Sequence, residues 1–574
     1  MKQLLIGNHA VAQGLYEGGM AFISGYPGTP STEITEHAST FPDIISEWAP
    51  NEKVALEAVF GASLAGVRAA CTMKHVGLNV AADPLFSFSY TGVRGGAVIC
   101  VADDPAMHSS QNEQDSRHYA IAAKLPMLEP SDSAEAHDYA KLSFALSEQF
   151  DTPVLLRMCT RISHSQSMVE VGERIPHTPI PYQKQAEKYV LVPANAKRRH
   201  PVVEARMKAL AEYAETCPFN AVEWGKDRQI GVVTSGTCYQ YVKEALGDSV
   251  SVFKLGLVNP LPVQSLMDFA SQVKRLVVVE ELDGIIEAHC VSLGLKVDGK
   301  NLFSVIGEYS QDMIRKAFGL DSHTPIKESE LPLRPPMMCA GCPHRSIFYV
   351  LSKLKLTVMG DIGCYTLGAQ PPLSALDTAL CMGASLSGLH GYLKARPDAF
   401  DQTVGVIGDS TFIHSGMTSL CEIAYNQSPA TVIVLDNSIT GMTGHQQNPS
   451  TGYTIHGDPT AKVNLEAFCH AIGIQRVSVV DPYDMALCEK VLREELATKE
   501  PSVIISRRPC VLLKQVKAKP ALTIDTEKCR RCKRCMALGC PALSISDMGV
   551  AIDSTLCGGC EVCLSLCPFD AIKA

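Results

Sequence analysis

The sequence predicts a multidomain α/β protein built on parallel sheets, closed at its C-terminal end by a small cysteine-rich module. Three observations carry that prediction. A chain of 574 residues exceeds what one hydrophobic core serves, because domains of roughly 150 residues are the usual size. Short apolar runs alternate with helical stretches along most of its length, the signature of parallel strands joined by crossover helices. Eight of its 22 cysteines fall between Cys529 and Cys567.

Composition narrows the function classes. Hydrophobic residues at 46% against 19% charged describe a well-buried globular chain, so disorder is not expected. The net charge of -9 lacks the basic excess that phosphate backbones demand, which argues against nucleic acid as a partner. The N-terminal apolar stretch is broken by Asn8, His9 and Gln13 before a signal-peptide core could form. No run of about 18 apolar residues occurs, so no membrane span is expected and the protein is placed in the cytoplasm. There, cysteines are more often buried, metal-bound or catalytic than disulfide-linked.

The elements follow in order. Residues 1–170 carry the apolar runs Met20 to Ser24, Ala97 to Val101 and Val154 to Arg157, with an Ala/Gly-rich helical stretch from Val54 to Ala70, and read as a first α/β domain. Residues 171–226 are rich in Pro, Lys, Arg and Glu, with three prolines between Ile175 and Tyr182, and read as a linker arm. A second α/β stretch, 227–330, has strands at Ile230 to Val233 and at Leu276 to Val279, the latter closing on Glu280, Glu281 and Asp283. Glu328 to Pro336 is polar and Pro-rich like a linker, 337–513 form a third α/β domain, and Lys514 to Pro520 read as a tether to the module at 521–574.

That module repeats itself. Thr523-Ile524-Asp525, followed by Cys529, matches Ala551-Ile552-Asp553, followed by Cys557, and Cys540-Pro541 matches Cys567-Pro568. The second half reads Cys557-x2-Cys560-x2-Cys563-x3-Cys567-Pro568, the spacing of a bacterial two-cluster ferredoxin, in which three close thiolates hold one cube and the fourth reaches the other. This assigns Cys529, Cys532, Cys535 and Cys567 to one [4Fe-4S] cluster, and Cys557, Cys560, Cys563 and Cys540 to a second. The first half departs from the pattern, since four residues separate Cys535 from Cys540, and a bulged loop is expected there. Zinc is the alternative, but zinc sites rarely show two matched three-cysteine groups each followed by Cys-Pro.

In the third domain, Val404-Gly405-Val406-Ile407-Gly408-Asp409-Ser410 and Thr431 to Ile439 read as strand, helix, strand. Ligands collect at the carboxyl ends of parallel strands, so Asp409 and Asn437 could present oxygens to one hard cation such as Mg2+, with the Ile439 carbonyl as third ligand. Gly408 is expected to let the backbone approach a diphosphate. A lone Gly-Asp pair often only ends a strand. Here the spacing from Asp409 to Asn437, and the following Thr440-Gly441-Met442-Thr443-Gly444-His445-Gln446, resemble the thiamine-diphosphate motif of the 2-oxoacid:ferredoxin oxidoreductases.

The resemblance extends through most of the chain and has several implications. Gly408, Asp409, Ser410, Asn437 and Ile439 would hold thiamine diphosphate and its Mg2+. Asn51 to Ala62 resembles the family segment with a glutamate nine positions before a glycine; counting back from Gly61 gives Glu52, whose carboxyl would bond the pyrimidine N1' and favour ylide formation. The bland reading makes Glu52 a first-turn acid on its helix, and Glu57 competes. Gly25-Tyr26-Pro27-Gly28-Thr29-Pro30-Ser31-Thr32 resembles the substrate loop, with Thr29 at the oxoacid, although a turn with a Ser/Thr cap would look alike.

The domain order resembles that of members acting on arylpyruvates such as indolepyruvate and phenylpyruvate. It implies a smaller beta subunit as partner, ferredoxin as electron acceptor, and arylpyruvate and coenzyme A giving aryl-acetyl-CoA and CO2. The same chemistry on pyruvate or branched-chain 2-oxoacids is the alternative. Cys339, Cys342 and Cys364 could ligate a third cluster, with Cys510 or Cys469 as fourth; buried thiols are the favoured reading, because no fourth ligand declares itself.

Overall fold

Parallel pairing dominates the computed structural model, which describes residues 1–321, 335–546 and 549–574. Most of the linker expected at Glu328 to Pro336 therefore lies outside the described residues. The chain divides into two units, Met1–Ser329 and Glu330–Ala574.

The first unit contains a seven-stranded sheet in the order Leu257–Asn259, Met127–Leu128, Val154–Cys159, Ala97–Asp103, Ala69–Lys74, Phe22–Gly25, Ile45–Trp48. All neighbours are parallel except the first pair. Every residue of the three strands Val154–Cys159, Ala97–Asp103 and Ala69–Lys74 is buried, as expected of a parallel sheet covered on both faces. The register sets Gly25 opposite Thr72, Lys74 opposite Ala102 and Asp103 opposite Cys159. Three loops thus leave the sheet side by side at the carboxyl ends of its strands.

A second sheet runs in the order Val297–Asp298, Arg275–Val279, Ile230–Ser235, Ser251–Leu255, Ala221–Glu223. Its neighbour in sequence, Leu257–Asn259, crosses to complete the seven-stranded sheet, so the stretch 227–330 contributes to both. The Pro-rich arm contains a 22-residue helix, Pro193–Ala214, whose Val203, Arg206 and Leu210 are buried. Arg206 donates to the carbonyls of Ser89 at 2.8 Å and Asp151 at 2.9 Å. Arg117 joins the strand ends of both sheets: its guanidinium, 1% exposed, pairs with Asp115 at 2.6 Å and Glu280 at 2.5 Å. Charges buried this deeply persist only when paired and hydrogen-bonded.

The second unit carries six strands, all parallel, in the order Thr378–Ala379, Thr357–Gly360, Thr403–Gly408, Thr431–Asp436, Ser502–Arg507, Arg476–Val480. The cysteine module adds two small antiparallel pairs, Thr523–Ile524 with Ile572–Lys573 and Leu543–Ser546 with Gly549–Ile552. Leu522, Leu538, Val550 and Val562 of the module lie in one buried cluster with Ile347, Phe348 and Leu351 of the α/β part. Lys514 to Pro520 accordingly connects two parts of a single core. Among the described residues, no helix is long and apolar enough to cross a membrane.

Candidate functional site

In the second unit, Gly408 pairs with Leu435, so the strands Thr403–Gly408 and Thr431–Asp436 release Asp409 and Asn437 side by side. Asp409 is 2% exposed; burial, with Asp436 adding to it, pushes its carboxyl up to about 7. The Asn437 side-chain amide stands 2.8 Å from the Ile439 carbonyl oxygen and 3.1 Å from Asp409 Oδ1, and with its nitrogen toward them it donates to both. A carboxylate, a carbonyl and an amide meet there. Turned the other way, the amide would add its oxygen to theirs, a set that suits a hard cation. On its other side, that amide lies 3.4 Å from His344 Nε2, too long for a strong bond, and burial drives His344 down to about 4.

One supporting bond fixes the Asp409 carboxylate and another the neighbouring Ser410. Ser450 Oγ donates to Asp409 Oδ2 at 2.7 Å, and Thr440 Oγ1 donates to Ser410 Oγ at 2.9 Å. Gly408 has a steric reason beyond any ligand: a β-carbon there would lie 2.8 Å from the Tyr365 ring. The helix opening at Asp409 passes into a π turn over Phe412–Gly416, a local irregularity frequent at functional sites. The donor set of carboxylate, amide and carbonyl oxygen fits a Mg2+ that also binds a diphosphate.

The module brings its eight cysteines together in two groups. One space is lined by Cys529, Cys532, Cys535 and Cys567. A second is lined by Cys540, Cys557, Cys560 and Cys563. Each group takes three thiols from one half of the repeat and one from the other. Thiols in two groups of four, each around a space with apolar walls, suit a pair of four-iron cubes. The halves match in backbone too, since Lys533 and Glu561 take φ of 60° and 67° at equivalent positions. The second space is also bordered by Ala340 and Gly341, whereas the first is walled by module residues.

Cys339 is exposed while Cys342, Cys364 and Cys510 are half-buried, so the buried-thiol expectation does not describe Cys339. Cys364 is pushed up to about 11 by burial and by the proximity of Cys510 and Cys339. The Cys510 amide donates to the Asn437 carbonyl at 2.9 Å, which sets this thiol group beside Asn437. Cys469 lies in a different core with Leu465 and Ile474. Of the two candidates for a fourth thiol, Cys510 lies with this group and Cys469 does not.

In the first unit, Glu52 opens the helix Glu52–Leu64, capped by the Asn51 side chain accepting from Val54 N at 2.9 Å. It is 4% exposed, and its carboxyl packs so close to Gly77 that a β-carbon on that glycine would stand 2.5 Å from Oε1. Glu57 instead faces solvent and pairs with Lys53. Thr29 is half-buried at the sheet edge, and its carbonyl accepts from Ser109 Oγ at 3.1 Å. Sequence reasoning missed the neighbouring Lys74, whose Nζ donates to the Ser109 carbonyl at 2.8 Å. Burial drives Lys74 down to about 8, against the pull of Asp104 and Glu52. Only its place at the end of a strand could have flagged it.

Three family profiles match the chain: "Pyruvate flavodoxin/ferredoxin oxidoreductase, thiamine diP-bdg" at 13–216, "Thiamine pyrophosphate enzyme, C-terminal TPP binding domain" at 361–506, and "4Fe-4S binding domain" at 550–573. The chain is 41% identical to "Indolepyruvate oxidoreductase subunit IorA" of Archaeoglobus fulgidus, over 100% of this chain and 97% of that protein. The proteins of the same name from Methanothermobacter thermautotrophicus and Thermococcus kodakarensis are 40% and 38% identical. They cover 100% and 99% of this chain, and 97% and 96% of their own lengths.

Proposed function

Because the chain belongs to the family of indolepyruvate oxidoreductase IorA subunits, we propose that it carries out ferredoxin-dependent oxidative decarboxylation of arylpyruvates, indolepyruvate first among them. With coenzyme A, the products are aryl-acetyl-CoA, CO2 and reduced ferredoxin. A smaller second subunit completes the enzyme. The observation that carries this reading is the presence, in one unit, of a carboxylate, an amide and a carbonyl gathered at the carboxyl ends of two parallel strands and of two four-cysteine spaces.

Asp409, Asn437 and the Ile439 carbonyl hold Mg2+, with Gly408 and Ser410 beside the diphosphate. Thiamine diphosphate, when bound, supplies the carbon nucleophile and takes up the electrons released on decarboxylation. Glu52 hydrogen-bonds the cofactor's pyrimidine and holds the proton that this ring exchanges. Thr29 orients the oxoacid, and Lys74, with its lowered proton affinity, is a cation for the substrate carboxylate at the same strand ends. The eight module cysteines hold two [4Fe-4S] clusters. Cys339, Cys342, Cys364 and Cys510 are free thiols beside the Asp409 site, and iron content per chain tests this, since iron beyond two clusters would overturn it.

The test is an anaerobic assay of the purified two-subunit enzyme with indolepyruvate, phenylpyruvate, pyruvate and 2-oxoisovalerate, following ferredoxin reduction. CoA-dependent reduction with the two aryl substrates at the highest kcat/KM is expected. Preference for pyruvate or 2-oxoisovalerate would overturn the substrate assignment, and no reduction with any of the four would overturn the activity.

A further inference from the structure

Arg345 is a buried cation whose hydrogen bonds all go to backbone carbonyls. Its residue is 5% exposed, and the guanidinium donates to Leu538 O at 3.1 Å and Gly539 O at 2.6 Å in the cysteine module. It also donates to the carbonyls of Met338 and, at 3.2 Å, Cys339, in the loop ahead of its own helix. Its Nε has no acceptor. Among the described residues no carboxylate pairs with it; the groups of opposite potential charge around it are Cys540, Cys342, Cys339 and Cys560. A buried guanidinium without an anion costs several kcal/mol, so its surroundings call for one.

The turn that Arg345 grips is the place where the two halves of the module differ. Four residues separate Cys535 from Cys540, against three between Cys563 and Cys567. The chain reaches Cys540 through Gly539 in the left-handed region, with φ of 66°. A β-carbon there would stand 2.8 Å from Pro372 Cδ and 3.3 Å from Arg345 Nη1. Only glycine serves at such a position, and the lengthened turn directs two successive carbonyls at the guanidinium.

We propose that Arg345 is the positioning residue and counter-cation of the cluster in the space of Cys540, Cys557, Cys560 and Cys563, and that the lengthened Cys535-to-Cys540 turn serves to receive it. This rests on reading the two spaces as cluster sites. Four thiolates around a [4Fe-4S] core leave net negative charge that grows on reduction, so a fixed cation in a dry environment favours the reduced form and raises the potential. Among the described residues, the cations lining the space of Cys529, Cys532, Cys535 and Cys567 are the exposed Arg530 and Lys533, and its cluster keeps a potential independent of Arg345. The same guanidinium, by holding Met338 and Cys339, fixes the Ala340-Gly341 wall of the space.

The experiment uses the anaerobic two-subunit holoenzyme, with redox titration followed by electron paramagnetic resonance and with iron and sulfide counted. Cys560→Ser first identifies which signal belongs to this space; if it changes neither signal nor iron count, the cluster reading itself fails. Given that assignment, Arg345→Gln shifts the midpoint of that signal downward and leaves the signal of the other space in place, at full iron content. Deleting Gly539 gives the same selective shift, and Arg345→Lys, which keeps the charge, stays closer to wild type than Arg345→Gln. Unchanged midpoints in Arg345→Gln, or equal shifts of both signals, would overturn the proposal. Should Arg345→Gln not fold, Arg345→Lys and the Gly539 deletion decide it: a deletion that leaves the midpoint where Arg345→Lys leaves it is the overturning result.

Discussion

With Oδ1 3.1 Å from the Asn437 amide, which also meets the Ile439 carbonyl at 2.8 Å, Asp409 is the residue on which cofactor retention turns. Asp409→Ala is expected to abolish retention of thiamine diphosphate and to remove Mn2+ binding seen by magnetic resonance; full cofactor occupancy would show that the cation is held elsewhere. Ser450 acts one bond further out, on Asp409 Oδ2, and Ser450→Ala should weaken metal binding by about tenfold, the low end for loss of an orienting partner. For Glu52, packed against Gly77, the Gln variant should bind cofactor yet slow hydrogen/deuterium exchange at the thiazolium C2 by about 10²- to 10⁴-fold. Glu57→Gln should leave exchange at the wild-type rate, and a defect confined to Glu57→Gln would reverse the assignment. The nearness of Asp409 to Asn437 and the grouping of the cysteines were legible, the first through resemblance to a family motif and the second through spacing. Arg345 and Lys74 were not, because their partners lie far off in sequence, as Leu538 does from Arg345.

Glu281 follows the strand Arg275–Val279 and is held in place by accepting from Tyr309 N at 2.8 Å. Burial, with Glu308 and Glu129 adding to it, raises its carboxyl to about 7. A folded-state affinity above the unfolded value makes its contribution most favourable below the unfolded pKa, and that contribution is lost as pH rises through about 7. Glu281→Gln should therefore raise stability relative to wild type at pH 8 by roughly 3 kcal/mol, and change little at pH 4. Denaturant titrations at the two pH values check this, and equal effects at both would refute it. The helix Pro193–Ala214 shows why this level was only partly legible. Its buried positions Val203, Arg206, Leu210 and Ala214 form a narrow stripe in an otherwise polar segment that contains Pro201, so composition pointed to an arm while a few contacts sufficed to dock a helix.

Across the molecule, the shared core of Leu522, Leu538 and Val562 with Ile347 and Phe348 ties the cysteine module to the α/β part. Removing residues 521–574 should therefore lower the melting temperature of what remains and expose apolar surface to a hydrophobic dye; an unchanged melting temperature would show that the module is only tethered. The sequence made the parallel α/β class and the repeat plain, since both are local periodicities. Which strands share a sheet is set by long-range pairing, which is why the contribution of 227–330 to the first sheet did not show.

That contribution has a consequence during synthesis. The edge of the seven-stranded sheet beside Met127–Leu128 is closed by Leu257–Asn259, which leaves the ribosome well over a hundred residues later. At about 5–20 residues per second, the nascent chain exposes an unsealed strand edge for roughly ten seconds, an interval in which a holding chaperone has a specific segment to cover.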